Sequence, residues 1–296
     1  MILVTGGTGF IGQELIRHLV ERGYQVRILL RPSYQSPRLP RGVPVEAVVC
    51  SLKDERGLRA AMKGVDAVFH MAGAEQSGSR ADLQAVDIDG SRLVAQAAAG
   101  AGVERLVYLS HLGADRASAY PVLKVKGIAE HFIMQSGVPY TIFRSAVVFG
   151  PGDHFTTALV RLLRMSPFVF LLPGNGATFL QPIWVEDLVT SMILSKDTPD
   201  AAGQVFSVGG PEYLSFRKIT EMVADAVRVR RTILSIPPAY IRILTVWLEH
   251  NSRAFPMGIF WSDYLAADRT CDLDTLPRMF GLMPERFSHR LDYLYS

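Results

Sequence analysis

A glycine-rich turn lies between a short apolar run and an apolar stretch at helical spacing, within the first 23 residues. The run ILVT (2–5) is aliphatic or β-branched, as suits a strand covered on both faces. The segment TGGTGFIG follows, with Gly6, Gly9 and Gly12 at GxxGxxG spacing. Apolar residues then recur three and four apart until Gly23, a residue typical of a helix C-terminal cap. The order of strand, glycines and helix predicts the start of a βαβ unit.

This turn has the chemistry of a phosphate-binding loop. Glycines let a backbone approach a pyrophosphate, and a helix N-terminus offers unpaired N–H donors and a positive dipole end. Thr8 adds a hydroxyl donor. A glycine-rich turn without a ligand is the alternative, but the context of strand and helix favours a dinucleotide site.

The second apolar run, VRILL, ends at Arg31, where a site that prefers NAD carries an acid. The guanidinium of an arginine at a strand tip suits the 2′-phosphate of NADP(H). Between Glu21 and Glu46 the chain has no acid, but it has Arg27, Arg31, Arg38 and Arg41. A solvated loop arginine is the alternative. We therefore expect NADP(H) to be favoured, with NAD(H) as the other option.

The rest of the first half alternates between strand-like and helix-like segments. VPVEAVV, DAVFHMAG, ERLVYLS and VPYTIFR are typical of strands, and helix-like stretches separate them. This predicts an α/β fold, a Rossmann-type doubly wound parallel sheet with helices on both faces. Ligands of such sheets bind beyond the carboxyl ends of the strands, near Gly6, Arg31, Ser51, Ala72, Ser110 and Arg144.

Composition excludes several other classes. The net charge of +3 over 296 residues comes without a basic block, which argues against nucleic-acid binding. Cys50 and Cys271 are far apart, so neither a disulfide framework nor a metal site is expected. A strand at Ile2 leaves no room for a signal peptide, and no apolar run is long enough to span a bilayer. The expected location is cytoplasmic.

Candidate chemistry follows the fifth strand, in SHLGADRASAYPVLKVK. Tyr120 and Lys124 are four residues apart in a predicted helix, and an ammonium lowers the pKa of a nearby phenol. The phenol could then exchange a proton with a carbonyl or alcohol. A half-buried tyrosine beside a surface lysine is the alternative. His70 and His111 lie at strand ends, where a structural role is expected, although His111 is beside the expected substrate position.

These motifs resemble the extended or atypical branch of the short-chain dehydrogenase/reductase superfamily. TGGTGFIG, VFHMAG, YPVLK, FRSAVVFGPGD and FLQPIWVEDL carry the resemblance over essentially the whole chain. VYLSHLGAD, FRSAVVFGPGDHF and FGLMPERFSHRLDYL are most similar to the accessory-subunit family of respiratory complex I, whose members hold NADPH.

The resemblance implies positions for the site. Tyr120 and Lys124 would be catalytic, with His111 and Ser110 as further candidates. The predicted cofactor site comprises Gly6, Thr8, Gly9, Phe10, Ile11, Gly12, Arg31, Ser51, Leu52, Ala72, Gly73, Ser110, Tyr120, Lys124, Arg144 and Val147. The chain departs from the family where Leu112 replaces a serine or threonine, Ser51 an acid, and Asp87 an asparagine.

The expected dinucleotide-binding domain covers 1–150, with 178–207 returning to it, and a smaller lobe covers 151–177 and 208–296. Within that lobe, 236–267 is rich in aromatic residues and is either lobe core or a docking surface. Arg242 and Arg253 there would suit acidic headgroups or partner carboxylates.

Two functions are compatible with these features. The favoured one is an NADP(H)-holding accessory or assembly subunit of a complex I type assembly, peripheral on the inner face of the membrane, with weak or no turnover. The alternative is an NADPH-dependent reductase, dehydrogenase or epimerase that acts through Tyr120 and Lys124. A redox-sensing regulator is a third option.

Overall fold

The computed structural model describes residues 1–34, 36–37, 39–40, 42–75, 81–251 and 256–295, with the backbone alone at residue 250. The strands are β1 Ile2–Thr5, β2 Val26–Leu30, β3 Glu46–Val49, β4 Ala67–His70, β5 Arg105–His111, β6 Tyr140–Ser145, β7 Val148–Phe149, β8 Val169–Pro173, β9 Phe179–Leu180, β10 Ile183–Trp184, β11 Gln204–Val208, β12 Leu214–Ser215 and β13 Thr232–Ile236. Seven of them form one sheet in the order β11, β6, β5, β4, β1, β2, β3, and every neighbouring pair is parallel.

Helices connect these strands, as parallel pairing requires. They are α1 Phe10–Glu21, α2 Glu55–Ala61, α3 Ser91–Ala101, α4 Pro121–Met134, α5 Thr156–Met165, α6 Val185–Asp197, α7 Phe216–Ala226, α8 Pro238–Asn251, α9 Ile259–Tyr264 and α10 Thr275–Phe280. A π-helical turn, Gln84–Gly90, leads into α3, and short 3₁₀ turns cover Pro199–Ala201, Phe287–His289 and Asp292–Tyr295.

The main sheet is covered on both faces, which confirms the predicted doubly wound architecture. On one face α1 and α6 bury Leu15, Leu188 and Met192 against the strands. On the other face, residues of α2, α3 and α4 pack on Leu106 and Tyr108 of β5. The alternating side chains of β5 therefore face two different layers, which decides where its polar residues point.

A second core lies in the smaller lobe. Phe155, Leu159, Phe216, Ile219 and Trp261 form part of it, beneath the parallel pair of β8 and β13. The predicted N-cap at Ser215 is confirmed, since its hydroxyl accepts a hydrogen bond from the Lys218 amide at 3.1 Å. Helix α6 packs on α1, and β11 pairs with β6. The domain bounds proposed from the sequence remain a prediction.

One part of the aromatic stretch 236–267 belongs to the lobe core, and another part is an exposed surface. Helix α9 is in the lobe core, whereas α8 turns an apolar stripe to solvent: Tyr240, Ile243, Leu244 and Trp247, each between 42% and 67% exposed. Arg242 pairs with Asp263 at 3.1 Å, and Arg253 lies outside the described residues. Within the described part of the chain, every helix is too short or too polar to cross a membrane.

Candidate functional site

The glycine turn closes tightly between β1 and α1. Gly6 has φ +74°, and a Cβ there would lie 2.7 Å from the carbonyl carbon of Met71. A Cβ on Gly12 would overlap the Gly6 carbonyl oxygen and lie 2.8 Å from the Gly7 Cα. These close contacts seat the first turn of α1 directly on the end of β1. The helix N-terminus is thereby held at the carboxyl edge of the sheet.

Space is left open above the turn, as a bound pyrophosphate requires. A Cβ on Gly9 would meet one atom, the Gly6 oxygen, at 3.4 Å, and both Thr8 and Gly9 are exposed. Gly9 is the N-cap of α1 and has no side chain to occupy the N–H groups of the first turn. The neighbouring Phe10 ring packs beside Gly150, and Ile11 is half-buried. The turn therefore fits a phosphate in geometry and in charge.

Arg31 lies where the sequence predicts it, directly after β2 at the same sheet edge. Its side chain is exposed and has no partner among the described residues. Arg27, in contrast, pairs with Glu46 at 2.9 Å. Arg38 and Arg41 lie outside the described residues. Ser51 and Leu52 follow β3 and are half-buried, and Leu52 packs near Gly90.

A buried charged cluster lies beyond the ends of β4 and β5. Lys126 is 2% exposed, and its Nζ is 3.1 Å from Asp87 Oδ1 and 4.0 Å from Glu75 Oε2. The Nε2 atom of His111 is 3.9 Å from Glu75 Oε1. A Cβ on Gly73 would lie 3.0 Å from Lys126 Nζ, so the cluster adjoins the loop of Ala72 and Gly73.

Opposite charges within the cluster stabilise one another. Burial by itself would lower the pKa of Lys126, but Tyr108, Asp87 and Glu75 outweigh it and raise that pKa well above its ordinary value. Burial would likewise raise the pKa of Glu75, but Lys126 and His111 hold it below its ordinary value. Lys126 is therefore a fixed cation at the edge where the second half of a dinucleotide would lie.

The structure differs here from the sequence-based assignment of Tyr120 and Lys124. Helix α4 begins at Pro121, so Tyr120 is its N-cap with an extended backbone, and Lys124 is exposed. The buried lysine is Lys126, and the residue four positions before it is Val122. The geometry thus does not pair Tyr120 with Lys124 in the cleft. The segment VLKVK contains two lysines, Lys124 and Lys126. The four-residue spacing from Tyr120 pointed to Lys124, which is exposed.

Ser110 and Arg144 also have a different partner from the one expected. The Ser110 hydroxyl donates to Glu130 Oε1 at 2.6 Å, and Arg144 Nη2 donates to Glu130 Oε2 at 2.6 Å. Glu130 belongs to α4 and is 2% exposed. Both side chains therefore lie beneath α4 and not over the glycine turn. Val147 is buried in the second core.

His70 has a structural role, as expected. Its Nδ1 lies 2.6 Å from the Thr5 hydroxyl and its Nε2 lies 2.8 Å from the Ser91 hydroxyl. Complete burial lowers the pKa of His70 to about 3, so the ring is neutral at physiological pH. The ring ties β1, β4 and α3 together. His111 is half-buried and contacts Phe260 and Tyr264 of the smaller lobe.

A Rossmann-type sheet with an open glycine turn and a buried lysine beyond its carboxyl edge defines a dinucleotide-binding protein of the short-chain dehydrogenase/reductase type. The chain belongs to the NAD(P)H-binding family, whose model matches residues 6–157. This confirms both the predicted superfamily and a nicotinamide dinucleotide as the bound cofactor.

Proteins with several different names are similar to most of this chain. The chain is 26% identical over 309 residues to mitochondrial NADH dehydrogenase (ubiquinone) 1 alpha subcomplex subunit 9 of Arabidopsis thaliana, covering 96% of this chain and 76% of that protein. It is 42% identical over 288 residues to a Synechocystis sp. protein provisionally named dihydroflavonol 4-reductase, covering 86% and 80%. An NADPH-dependent quinone oxidoreductase from Escherichia coli shares the fold with a TM-score of 0.79 at 18% identity, covering 100% of both chains.

Proposed function

We propose that this protein holds NADP(H) as an accessory subunit of a membrane-associated, complex I type assembly, with weak or no turnover. The observation that carries the proposal is the missing phenol: Val122 stands one helical turn before the cleft lysine, Lys126. A nicotinamide cofactor supplies hydride, but a carbonyl or alcohol substrate also needs a group that exchanges a proton. A lysine without that phenol can bind and orient a ribose.

The one phenol that contacts Lys126 in the described residues is unsuited to proton exchange. Lys126 Nζ lies over the Tyr108 ring, 5.4 Å from its centroid. Tyr108 is fully buried, and its hydroxyl has no hydrogen-bond partner in the described part of the chain. Burial raises its pKa to about 12, so the phenol stays protonated. Lys126 is therefore better suited to binding the nucleotide than to supporting proton exchange.

The exposed stripe of α8 supports attachment to a larger assembly. Tyr240, Ile243, Leu244 and Trp247 lie three and four apart on one side of the helix, while Thr245 is buried beneath. The relative in Arabidopsis thaliana is named as a subunit of NADH dehydrogenase. A face of this kind suits a protein that docks through its smaller lobe.

Nucleotide content and turnover test the proposal together. The purified protein should release NADP(H) in preference to NAD(H), and it should show no sustained NADPH oxidation with quinones, aldehydes or ketones. Gly9→Val should abolish nucleotide binding, whereas Tyr120→Phe should leave binding and stability unchanged. Sustained oxidation that needs Tyr120 would contradict the accessory function and restore the assignment of Tyr120 and Lys124.

The docking surface has its own test. Ile243→Asp should release the protein from the membrane fraction of its own cells, while Tyr34→Asp, which changes an exposed residue outside the stripe, should not. Equal distribution of the two variants would exclude α8 as the docking face.

One observation favours the alternative, an NADPH-dependent reductase. His111 Nε2 lies 3.9 Å from Glu75 Oε1 beside Lys126, and an imidazole can exchange a proton where the phenol is missing. If the protein turns over by this route, His111→Gln should lower the rate about a hundredfold or more. Nucleotide affinity should be unchanged, and Tyr120→Phe should have no effect on the rate.

A further inference from the structure

Arg269 is a buried cation with no counter-charge in the described part of the chain. The residue is 8% exposed. Its Nε donates to the Tyr264 carbonyl oxygen at 3.3 Å, and its guanidinium carbon lies 5.4 Å from the centroid of the Tyr264 ring. No carboxylate of the described residues lies within 4.0 Å of the guanidinium, and its two terminal nitrogens make no hydrogen bond to a described residue.

Other arginines of the same chain have partners at their terminal nitrogens. Arg105 is 9% exposed, and its Nη1 donates to the Ser195 carbonyl at 3.0 Å and to the Thr141 hydroxyl at 3.1 Å. Arg144 is held by Glu130. Partly burying a guanidinium without such partners is costly, because the solvent that still reaches its terminal nitrogens replaces only part of the lost hydration. The terminal nitrogens of Arg269 therefore lack the hydrogen-bond and ionic partners that Arg105 and Arg144 have.

The guanidinium lies at the carboxyl edge of the main sheet. Gly113, two residues after β5, has φ +85°, and a Cβ there would collide with Arg269 Nη1 and lie 3.2 Å from Cζ. The Tyr264 ring that contacts Arg269 also contacts the ring of His111, with centroids 6.4 Å apart. The smaller lobe thus delivers Arg269 to the edge where ligands of such sheets bind.

A second polar group on this wall also lacks a partner. The Tyr264 hydroxyl is buried, and no described residue hydrogen-bonds to it. Burial raises the pKa of Tyr264, so the hydroxyl is a donor at physiological pH. A planar guanidinium with free terminal N–H groups matches the two oxygens of a carboxylate or phosphate.

We propose that Arg269 binds the anionic group, carboxylate or phosphate, of a second small ligand beside the cofactor cleft. The ligand supplies the counter-charge that the fold omits, and Gly113 leaves room for the guanidinium to meet it. This site requires no turnover, so it is compatible with both an accessory and a reductase function.

Titration calorimetry on the NADPH-loaded protein tests the proposal with three probes. Pyruvate presents a carboxylate, inorganic phosphate presents a phosphate, and pyruvamide is the neutral match of pyruvate. Arg269→Met removes the charge. Arg278→Met is the matched control, since Arg278 is an exposed arginine nine residues further along the chain, paired with Asp274 at 3.7 Å. Arg269→Gln is the second variant, since its amide can still donate to the Tyr264 carbonyl.

We expect at least one anion to bind saturably, pyruvamide not to bind, and Arg269→Met and Arg269→Gln to weaken binding at least tenfold. Arg278→Met should stay within twofold of wild type. A preference between pyruvate and phosphate identifies the anionic group. Without ligand, Arg269→Met should be at least as stable to urea as wild type, because an unpaired buried charge has been removed.

The proposal is overturned if neither anion saturates wild type, or if the Arg269 and Arg278 variants bind equally. It is also overturned if Arg269→Met is less stable and Arg269→Gln binds as wild type, since Arg269 would then be structural. Nucleotide content, measured separately on each sample, reports on the proposed NADP(H) function independently of the anion titration.

Discussion

Replacement of Lys126 by methionine tests which lysine belongs to the site. Methionine has a side chain of similar length and keeps the apolar contacts of the lysine side chain, but it removes the charge. The change leaves Asp87, which is fully buried, and Glu75 without their cation. Lys124→Met is the matched control, because Lys124 lies two residues away on the same helix and is exposed.

The expected loss of stability is large because the ion pair of Lys126 and Asp87 is buried away from water. Breaking a buried ion pair by removing one partner costs about 3–5 kcal/mol, since the remaining charge stays desolvated. An exposed substitution changes the free energy of unfolding by about 0.5 kcal/mol or less. Lys126→Met should therefore lower that free energy by about 3–5 kcal/mol, and Lys124→Met should leave it nearly unchanged.

The pH dependence has a definite sign. In wild type the pKa of Glu75 lies below its ordinary value, so its contribution to stability is present at neutral pH and is lost as pH falls through the folded-state pKa. Without Lys126, burial favours the protonated form of Glu75, and the variant gains stability as pH falls. The difference in the free energy of unfolding between wild type and Lys126→Met should become smaller from pH 8 to pH 5.

Urea unfolding across this pH range, combined with NADPH titration, is the assay. Asp87→Asn added to Lys126→Met should recover part of the lost stability, because it removes one stranded charge. Nucleotide affinity should fall in Lys126→Met and stay constant in Lys124→Met. Equal effects of the two lysine variants, or a loss confined to Lys124→Met, would refute the assignment of Lys126 to the site.

Three further predictions concern the turn, the nucleotide preference and a second carboxylate. Gly12→Ala should destabilise the fold even without nucleotide, because its Cβ overlaps the Gly6 oxygen, whereas Gly9→Val should abolish nucleotide binding at nearly unchanged stability of the unliganded protein; thermal unfolding with and without NADPH separates them. Arg31→Ala should weaken NADPH binding about tenfold and leave NADH binding unchanged in fluorescence titrations, and equal affinities of wild type for both nucleotides would exclude a 2′-phosphate contact. Burial raises the pKa of Asp187 to about 6, so its share of stability is greatest below about pH 4 and is lost as pH rises through 6; Asp187→Asn, compared with wild type by urea unfolding, should therefore be stabilising at pH 8 and neutral near pH 4.

Sequence by itself determined the nucleotide-binding half of the protein. The glycine turn, its flanking strand and helix, and Arg31 at the tip of β2 lie where the pattern predicts them. Each of these features depends on backbone conformation within a few residues, and the glycines, β-branched residues and caps that specify it are read directly from the chain. The alternation of strands and helices likewise determined a parallel sheet.

Tertiary structure decided which polar side chains reach the cleft. Lys124 and Lys126 are two residues apart and therefore about 200° apart around α4, so the start of the helix at Pro121 and its packing select Lys126. Ser110 lies in β5 near the predicted site, but its hydroxyl donates a hydrogen bond to the carboxylate of Glu130, 20 residues further along the chain.

The same limit applies to Arg269, which meets Gly113 only because α9 and the following segment fold back onto the end of β5. Charge pairing and burial depend on contacts between residues far apart in the chain. Local periodicity carries no record of those contacts. The charge pairing around Lys126 depends on the packing of α4 against the π-helical turn and β5, and the unpaired charge of Arg269 depends on the packing of the smaller lobe on the end of β5.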